Sequence, residues 1–337
     1  MITDFIYDSF IPLPLISSRQ GRGNVTFYSF IKNKQLFRQA QRYREAKARS
    51  AMTSNTPSVI KTENIIKRYG DIVALNGLDL EVSKGELFGF LGPNGAGKTT
   101  ALRILTTLTR PTSGRAFVSG FDVIESPVNA KKGVGVVPQY LNVDGELTAY
   151  ENLKLHGMLH KIDKKEAKNR IWEMLEFVGL KDRASSLVRT FSGGMKRRLM
   201  IARALLHRPE VVFLDEPTVG LDPQTRRKIW ELIRKVNLLG ATVFLTTHYI
   251  EEAEVLCRRV GIIDYGRLIA LDSPEELLKK TGDVVVEEAS DDGSGARFFN
   301  NRDDAVAFAA SLDGNVIVRK SNLEDVFIKL TGRKVMQ

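Results

Sequence analysis

Scarcity narrows the class of this 337-residue chain before any motif is read. Its one cysteine, Cys257, excludes an internal disulfide framework and agrees with a reducing cytosol. Histidines number only four, and no metal-site spacing is expected of them. Nowhere does an apolar run approach the roughly 20 residues that a spanning helix needs. Charge or glycine interrupts even the apolar strands, so no transmembrane segment is expected, and any membrane role is peripheral or exerted through a partner. A nucleic-acid reader module is also lacking, and no specific nucleic-acid partner is expected. Acidic residues are outnumbered, 40 against 50 basic ones. Most of the excess falls in residues 1–50, which carry nine Lys and Arg but three Asp and Glu. Such a stretch reads first as a solvated extension, with contact to anionic lipid or nucleic acid as the alternative.

Apolar residues are plentiful, at 43% of the chain, enough for one large domain with smaller appendages. The stretch that organises that domain is Gly92-Pro93-Asn94-Gly95-Ala96-Gly97-Lys98-Thr99, followed by Thr100. It comes after the apolar run Leu87 to Leu91 and before Leu102, Leu105 and Leu108 at helical spacing, so it is expected between a buried strand and a helix. Glycines permit the tight turn and close approach by which successive backbone N–H groups converge on phosphate oxygens. Lys98 then bridges β- and γ-phosphates, the Thr99 hydroxyl can ligate Mg²⁺, and Thr100 can help hold phosphate.

Other strand ends supply the remaining chemistry. Val134 to Val137 reads as a buried strand whose exit carries Gln139, with an amide oxygen for Mg²⁺ or water. Val211 to Leu214 delivers Asp215 for the metal and Glu216 as general base, and Ala241 to Leu245 leads to His248, placed to contact γ-phosphate and keep Glu216 and water aligned. Two antiparallel strands, Val59 to Tyr69 and Val73 to Val82, are expected beside this core, with the Tyr69 ring available to adenine.

From Thr148 to Arg208 helical patterns replace strands. Trp172, Leu175 and Val178, with Ile171 adjoining, are expected as core contacts. Ser192-Gly193-Gly194 opens a further helix through Leu206, with Ser192 as its cap and free N–H groups for an anion. One phosphate chain is already held by the first loop, so this second terminus is expected to serve a nucleotide held by another copy. Gly220 to Pro223 begins a further helix through Ile229, Leu232, Ile233 and Val236, and Asp222 near its N-terminus is expected either to cap it or to communicate across the dimer. After Gly282 the pattern turns into short strands and helices, ending in the capped amphipathic segment Ser321 to Leu330.

In this order the set resembles the nucleotide-binding subunit of an ATP-binding-cassette (ABC) transporter over roughly residues 59–282. It comprises Walker A Gly92 to Thr99, Q-loop Gln139, signature Phe191 to Met195, Walker B Val211 to Glu216, D-loop Gly220 to Asp222 and switch His248. Phe191 and Met195 depart from the usual Leu and Gln of the signature. The runs Gly193 to Leu199, Pro217 to Arg227 and Leu323 to Phe327 look like the daunorubicin-resistance and multidrug-export branch, similar to ABC-2-type exporters. The resemblance implies an α/β fold: a P-loop NTPase cassette with a RecA-like core, an antiparallel β subdomain, a helical subdomain inserted at about 140–210, and a small α+β appendage over 283–337. Residues 1–58 would be a basic flexible extension and linker, with Met52 as an alternative start. It further implies ATP and Mg²⁺ as cofactors and ATP hydrolysis at the cytoplasmic face of the membrane. Two such cassettes would form a head-to-tail, nucleotide-bridged homodimer beside a separate multi-helix permease that handles an exported small molecule or lipid. The alternative is an ABC ATPase outside transport, driving a nucleic-acid or ribosomal machine.

Overall fold

A computed structural model describes residues 57–288, 295–312 and 315–332. Expectations for residues 1–56 lie outside the described residues. The centre is a six-stranded sheet in the order β10-β9-β3-β8-β7-β6. Its members are β3 (Leu87–Leu91), β6 (Val134–Val137), β7 (Val211–Asp215), β8 (Thr242–Thr247), β9 (Arg259–Asp264) and β10 (Arg267–Asp272). The first five run parallel, and β10 adds an antiparallel edge. β3, β7 and β8 are buried at every position, which is why they read as continuous apolar runs rather than alternating ones.

Alternation survives as a division between two cores. Phe88, Phe90, Phe213 and Phe244 point to one face, with Phe88 and Phe213 rings 5.4 and 5.5 Å from that of Phe244. There they meet Ile60, Ile65, Leu75 and Leu80 of a four-stranded sheet ordered β2-β1-β4-β5, formed by β1 (Ser58–Tyr69), β2 (Ile72–Ser83), β4 (Ser113–Val118) and β5 (Phe121–Asp122). Helix α1 (Lys98–Leu105) closes this core, and short α2 (Pro127–Lys132) sits at its rim. α1 stops at Leu105, so Leu108, expected on its apolar face, is 63% exposed instead. Leu87, Leu91, Val212, Leu214, Val243 and Leu245 point to the opposite face and pack against the inserted helices.

These helices are α3 (Ala149–Leu159), α4 (Lys164–Phe177) and α5 (Gly193–Leu205). α3 starts at a reciprocal capping box, Glu151 N–H donating to the Thr148 hydroxyl at 3.2 Å and Thr148 N–H to the Glu151 carboxylate at 2.9 Å. α4 buries Ile171, Met174, Leu175 and Val178, spaced i, i+3, i+4 and i+7. Trp172 falls one position off that stripe and is 39% exposed, its ring 5.7 Å from that of Tyr150, so the expected core role passes to Met174.

α6 (Pro223–Leu238) and α7 (Ile250–Leu256) cover the same face, followed by α8 (Pro274–Thr281). A three-stranded sheet, β12-β11-β13, then forms from β11 (Val284–Glu288), β12 (Gly295–Phe299) and β13 (Val316–Lys320), with α9 (Arg302–Ala310) and α10 (Leu323–Thr331). α10 returns to the main core and buries Leu323, Val326 and Phe327 there. Among the described residues no helix is long and apolar enough to cross a membrane.

Candidate functional site

Parallel β3, β7 and β8 end on one edge of the sheet, so the residues that leave them are neighbours whatever their separation in sequence. After β3 the chain turns through Gly92 to Gly97 into α1. Gly97 takes φ 109°, and a Cβ there would lie 2.5 Å from the Ala74 carbonyl, so both conformation and space require glycine. The turn aims Lys98 back over the loop: its Nζ donates to the carbonyls of Gly92 at 2.7 Å and Pro93 at 3.0 Å. It also stands 3.2 Å from Glu216 Oε1, both side chains being buried. Burial pulls the Lys98 ammonium below its usual range, and the Glu216 charge opposes that pull.

β7 brings Asp215 and Glu216 to the same edge. The Thr99 hydroxyl lies 3.4 Å from both carboxylate oxygens of Asp215, so a hydroxyl and a carboxylate share one wall. That pair of hard oxygen donors fits Mg²⁺. Burial raises the Asp215 carboxyl above the ordinary range, against the hydrogen bond it accepts from the Thr246 hydroxyl at 2.6 Å. Thr246 also holds the neighbouring residue, since Glu216 N–H donates to its carbonyl at 3.0 Å and its hydroxyl oxygen at 3.1 Å. Glu216 itself occupies the left-handed region at φ 46°. Its second carboxylate oxygen is 2.9 Å from His248 Nδ1. Lys98, Thr99, Asp215, Glu216 and His248 are thus linked into one chain of contacts across three strand ends.

A family profile described as ABC transporter matches residues 75–219. The chain is 42% identical over 300 residues to the Nod factor export ATP-binding protein I of Cupriavidus metallidurans, covering 82% of this chain and 99% of that one. It is 46% identical over 241 residues to the daunorubicin resistance ATP-binding protein DrrA3 of Streptomyces coeruleorubidus, covering 70% and 76%. The chain belongs to the ABC transporter family. Within it, the chain is an ATP-binding subunit related to exporter-type ATPases. Its cassette superposes on a solved dimeric ATP-binding cassette in a post-hydrolysis state bound to ADP and Pi, with TM-score 0.58, 30% identity and 64% and 98% of the two chains covered. The mixed α/β, RecA-like core with its antiparallel sheet and interspersed helices is the fold of that family.

Other cassette residues gather at the start of α5. Ser192 caps it, accepting from Met195 N–H at 3.3 Å, and Asp222 caps α6, accepting from Thr225 N–H at 2.9 Å. The two termini pack together through Gly194, where a Cβ would stand 2.4 Å from Thr225 Cγ2. Ser192 and Gly193 remain exposed. These residues form a patch of their own and make no hydrogen bond to the Lys98 cluster. Gln139 is exposed in the loop after β6, and Tyr69 is exposed at the end of β1, its ring 4.8 Å from Lys67 Nζ.

Three positioning residues escaped the motif reading. Thr246 is the first. Arg197, buried on α5, donates to the carbonyls of Pro138 and Gln139, both at 2.6 Å, and ties the loop after β6 to the signature helix. Glu252 is fully buried and accepts from the Thr218 hydroxyl at 2.8 Å and Trp230 Nε1 at 2.9 Å, locking the segment after Glu216 against α6 and α7. Burial raises its carboxyl. None has a local signal, because each acts on a partner more than 20 positions away.

The histidines require a correction. No metal-site spacing was expected, although His156 and His160 stand four positions apart, and His156, His160 and His207 converge, with one ligand atom of each within 4.8 Å of the others. Two of them are one helical turn apart, His156 in the last turn of α3 and His160 at its C-cap, and the third arrives from the end of α5 by topology alone.

Proposed function

We propose that this chain is the ATP-binding and ATP-hydrolysing subunit of an ABC-2-type exporter of the daunorubicin-resistance and multidrug-export branch. It works as a head-to-tail homodimer on the cytoplasmic face of the membrane, beside a separate multi-helix permease that carries a small molecule or lipid. The observation that carries this reading is the contact chain joining Lys98, Thr99, Asp215, Glu216 and His248 at the carboxyl edge of the sheet. The printed names of the Nod factor export and daunorubicin resistance relatives support the export role.

Residues 59–282 form the ATPase, with the helical subdomain at about 140–210, and residues 283–337 form the appendage. On ATP binding, Lys98 exchanges loop carbonyls for the β- and γ-phosphates, while amides of Gly92 to Gly97 and the hydroxyl of Thr100 cradle the chain, with Pro93, Asn94 and Ala96 completing the loop. Tyr69 stacks on adenine. Thr99, Asp215 and Gln139 hold Mg²⁺, which when bound offsets charge on the phosphates. Glu216 takes a proton from the attacking water, and His248 holds the carboxylate through Oε2. Ser192, Gly193 and Gly194 of a second copy close over the γ-phosphate, and Asp222 links the two sites. Release and rebinding of that copy pull on the permease through the Gln139 loop and the helical subdomain. That a solved related cassette bound to ADP and Pi is dimeric supports a dimeric assembly.

Gentle detergent extraction of the native complex tests the reading. A multi-helix membrane protein should co-purify with the chain. Co-purification of RNA or DNA without such a protein would instead favour an ABC ATPase outside transport.

A further inference from the structure

Three of the four histidines of the chain stand together, far from the nucleotide cluster in role and in partners. His156 and His160 lie one turn apart at the end of α3, and His207 follows the end of α5, in the turn that feeds β7. Ring centroids are 4.5 Å apart for His156 and His160, and 4.0 Å for His160 and His207. His207 Nε2 is 3.0 Å from the Val134 carbonyl. A carbonyl only accepts, so that nitrogen carries the proton and Nδ1 presents a bare lone pair. His207 Nδ1 is nevertheless buried without a hydrogen-bond partner, and so is His156 Nε2. Two orphaned imidazole nitrogens at one place are costly, and a shared ligand would satisfy both.

We propose that His156, His160 and His207 form a binding site for an imidazole-preferring divalent cation of the Zn²⁺ class, which ties the helical subdomain to strand β6. The donor set consists of nitrogen alone, with no carboxylate, which suits Zn²⁺, Co²⁺ or Ni²⁺ and excludes Mg²⁺ and Ca²⁺ as occupants. His207 has the outer hydrogen bond from its second nitrogen to a carbonyl that orients metal-binding imidazoles. His160 is exposed, so its ring can swing to close the distance to the other two, and the cation enters from that side with a water in the fourth position.

Two guanidinium groups, of Arg203 and Arg170, flank the cluster and oppose a cation. Each is engaged elsewhere: Arg203 donates to the Asn142 carbonyl at 2.9 Å, and Arg170 donates to the Leu206 carbonyl at 3.2 Å and pairs with Glu166. Their charge weakens the site, which therefore favours the cations that imidazole binds best. An occupied site links α3 directly to the turn after α5, and through Val134 to the strand that leads into Gln139. Its occupancy restrains movement of the helical subdomain against the core.

Co²⁺ and Zn²⁺ titrations of the purified, chelator-treated full chain test the proposal. One Co²⁺ per chain should bind with the visible absorption of a low-coordinate nitrogen site and be displaced by Zn²⁺, with Mg²⁺ and Ca²⁺ ineffective. His160→Gln removes an exposed ligand with little risk to folding and should weaken Zn²⁺ binding at least tenfold and abolish Zn²⁺-dependent thermal stabilisation. His156→Gln should do the same. His248→Gln, which removes the histidine of the nucleotide cluster, should leave Zn²⁺ binding intact. Zn²⁺ affinity unchanged in His160→Gln, or lost in His248→Gln instead, would overturn the assignment, as would the absence of saturable Co²⁺ binding by the wild-type chain.

Discussion

At Glu216 the proposed general base sits on backbone in the left-handed region, at φ 46°. A non-glycine residue in the left-handed region costs about 1–3 kcal/mol and persists only where its surroundings hold it. Thr246 supplies that hold, receiving Glu216 N–H on two oxygens while its own hydroxyl fixes Asp215. One threonine therefore sets the directions of two acids with different tasks, one toward Thr99 and one toward Lys98 and His248. The substitution Glu216→Gln keeps the shape and removes the base. ATP affinity should stay within a few-fold of wild type, while phosphate release falls by about 10²-fold or more, the usual scale of a lost general base. Filter-binding and phosphate-release assays on one preparation separate the two, and near-normal turnover would remove Glu216 from the role. Glu216 was legible in the sequence because four apolar residues precede the acidic pair and deliver it to a sheet edge. Thr246 was not, because a threonine inside a buried strand reads as strand filler until the neighbouring strand is known.

Elements carry the coupling. α5 begins at the signature turn, presents Arg197 to the loop after β6, and ends at the turn with His207, so one helix joins the signature turn, that loop and the proposed cation site. Two carbonyls, of Pro138 and Gln139, depend on the Arg197 guanidinium, whose charge burial disfavours. Arg197→Met fills much of the volume but leaves both acceptors without their charged donor. The expected cost is about 2–4 kcal/mol, read as a lower urea midpoint, with a larger loss in ATP hydrolysis than in ATP binding. Equal losses in both would mean that Arg197 serves the fold alone.

α10 makes a parallel case at the other end of the chain. Asp325 is fully buried, accepts from Asn322 N–H at 2.8 Å in a capping box and receives two bonds from Arg319, both 2.8 Å long. Asp325→Ala should destabilise the chain by about 2–4 kcal/mol, from a lost cap together with a broken charge-assisted pair. Thermal melts at fixed protein concentration measure it. The sequence revealed this helix as the capped amphipathic segment Ser321 to Leu330, but not that its cap is Asn322 with Asp325, nor that it returns to the main core, since nothing local encodes which face of the fold receives Leu323 and Phe327. Trp172 failed for the opposite reason: a three-residue spacing overlaps two helical stripes, and the buried one runs through Met174.

Across the whole molecule, the nucleotide cluster and the signature turn are separate patches, which is the geometry that a composite site between two chains requires. Gly193 offers a direct probe because it is exposed in the first turn of α5, with no atom closer than 3.9 Å to a built Cβ. An acidic residue there suits a helix N-terminus, so Gly193→Asp should fold and melt like the wild type. Placed against phosphate held by another copy, the same carboxylate repels. ATP-dependent dimers and hydrolysis should both be lost, although each chain keeps an intact phosphate loop. Lys98→Ala should fail for the complementary reason, having an intact turn and a broken cradle. Mixing the two inactive chains then makes a heterodimer with one wholly intact site and one doubly broken site. With random pairing by a two-fold operator and independent sites, the mixture should recover up to about a quarter of wild-type turnover. Hydrolysis measured against the ratio of the two chains should peak near equal amounts. A mixture no more active than either parent would contradict two independently working composite sites. Activity in Gly193→Asp alone would show that one chain completes its own nucleotide site.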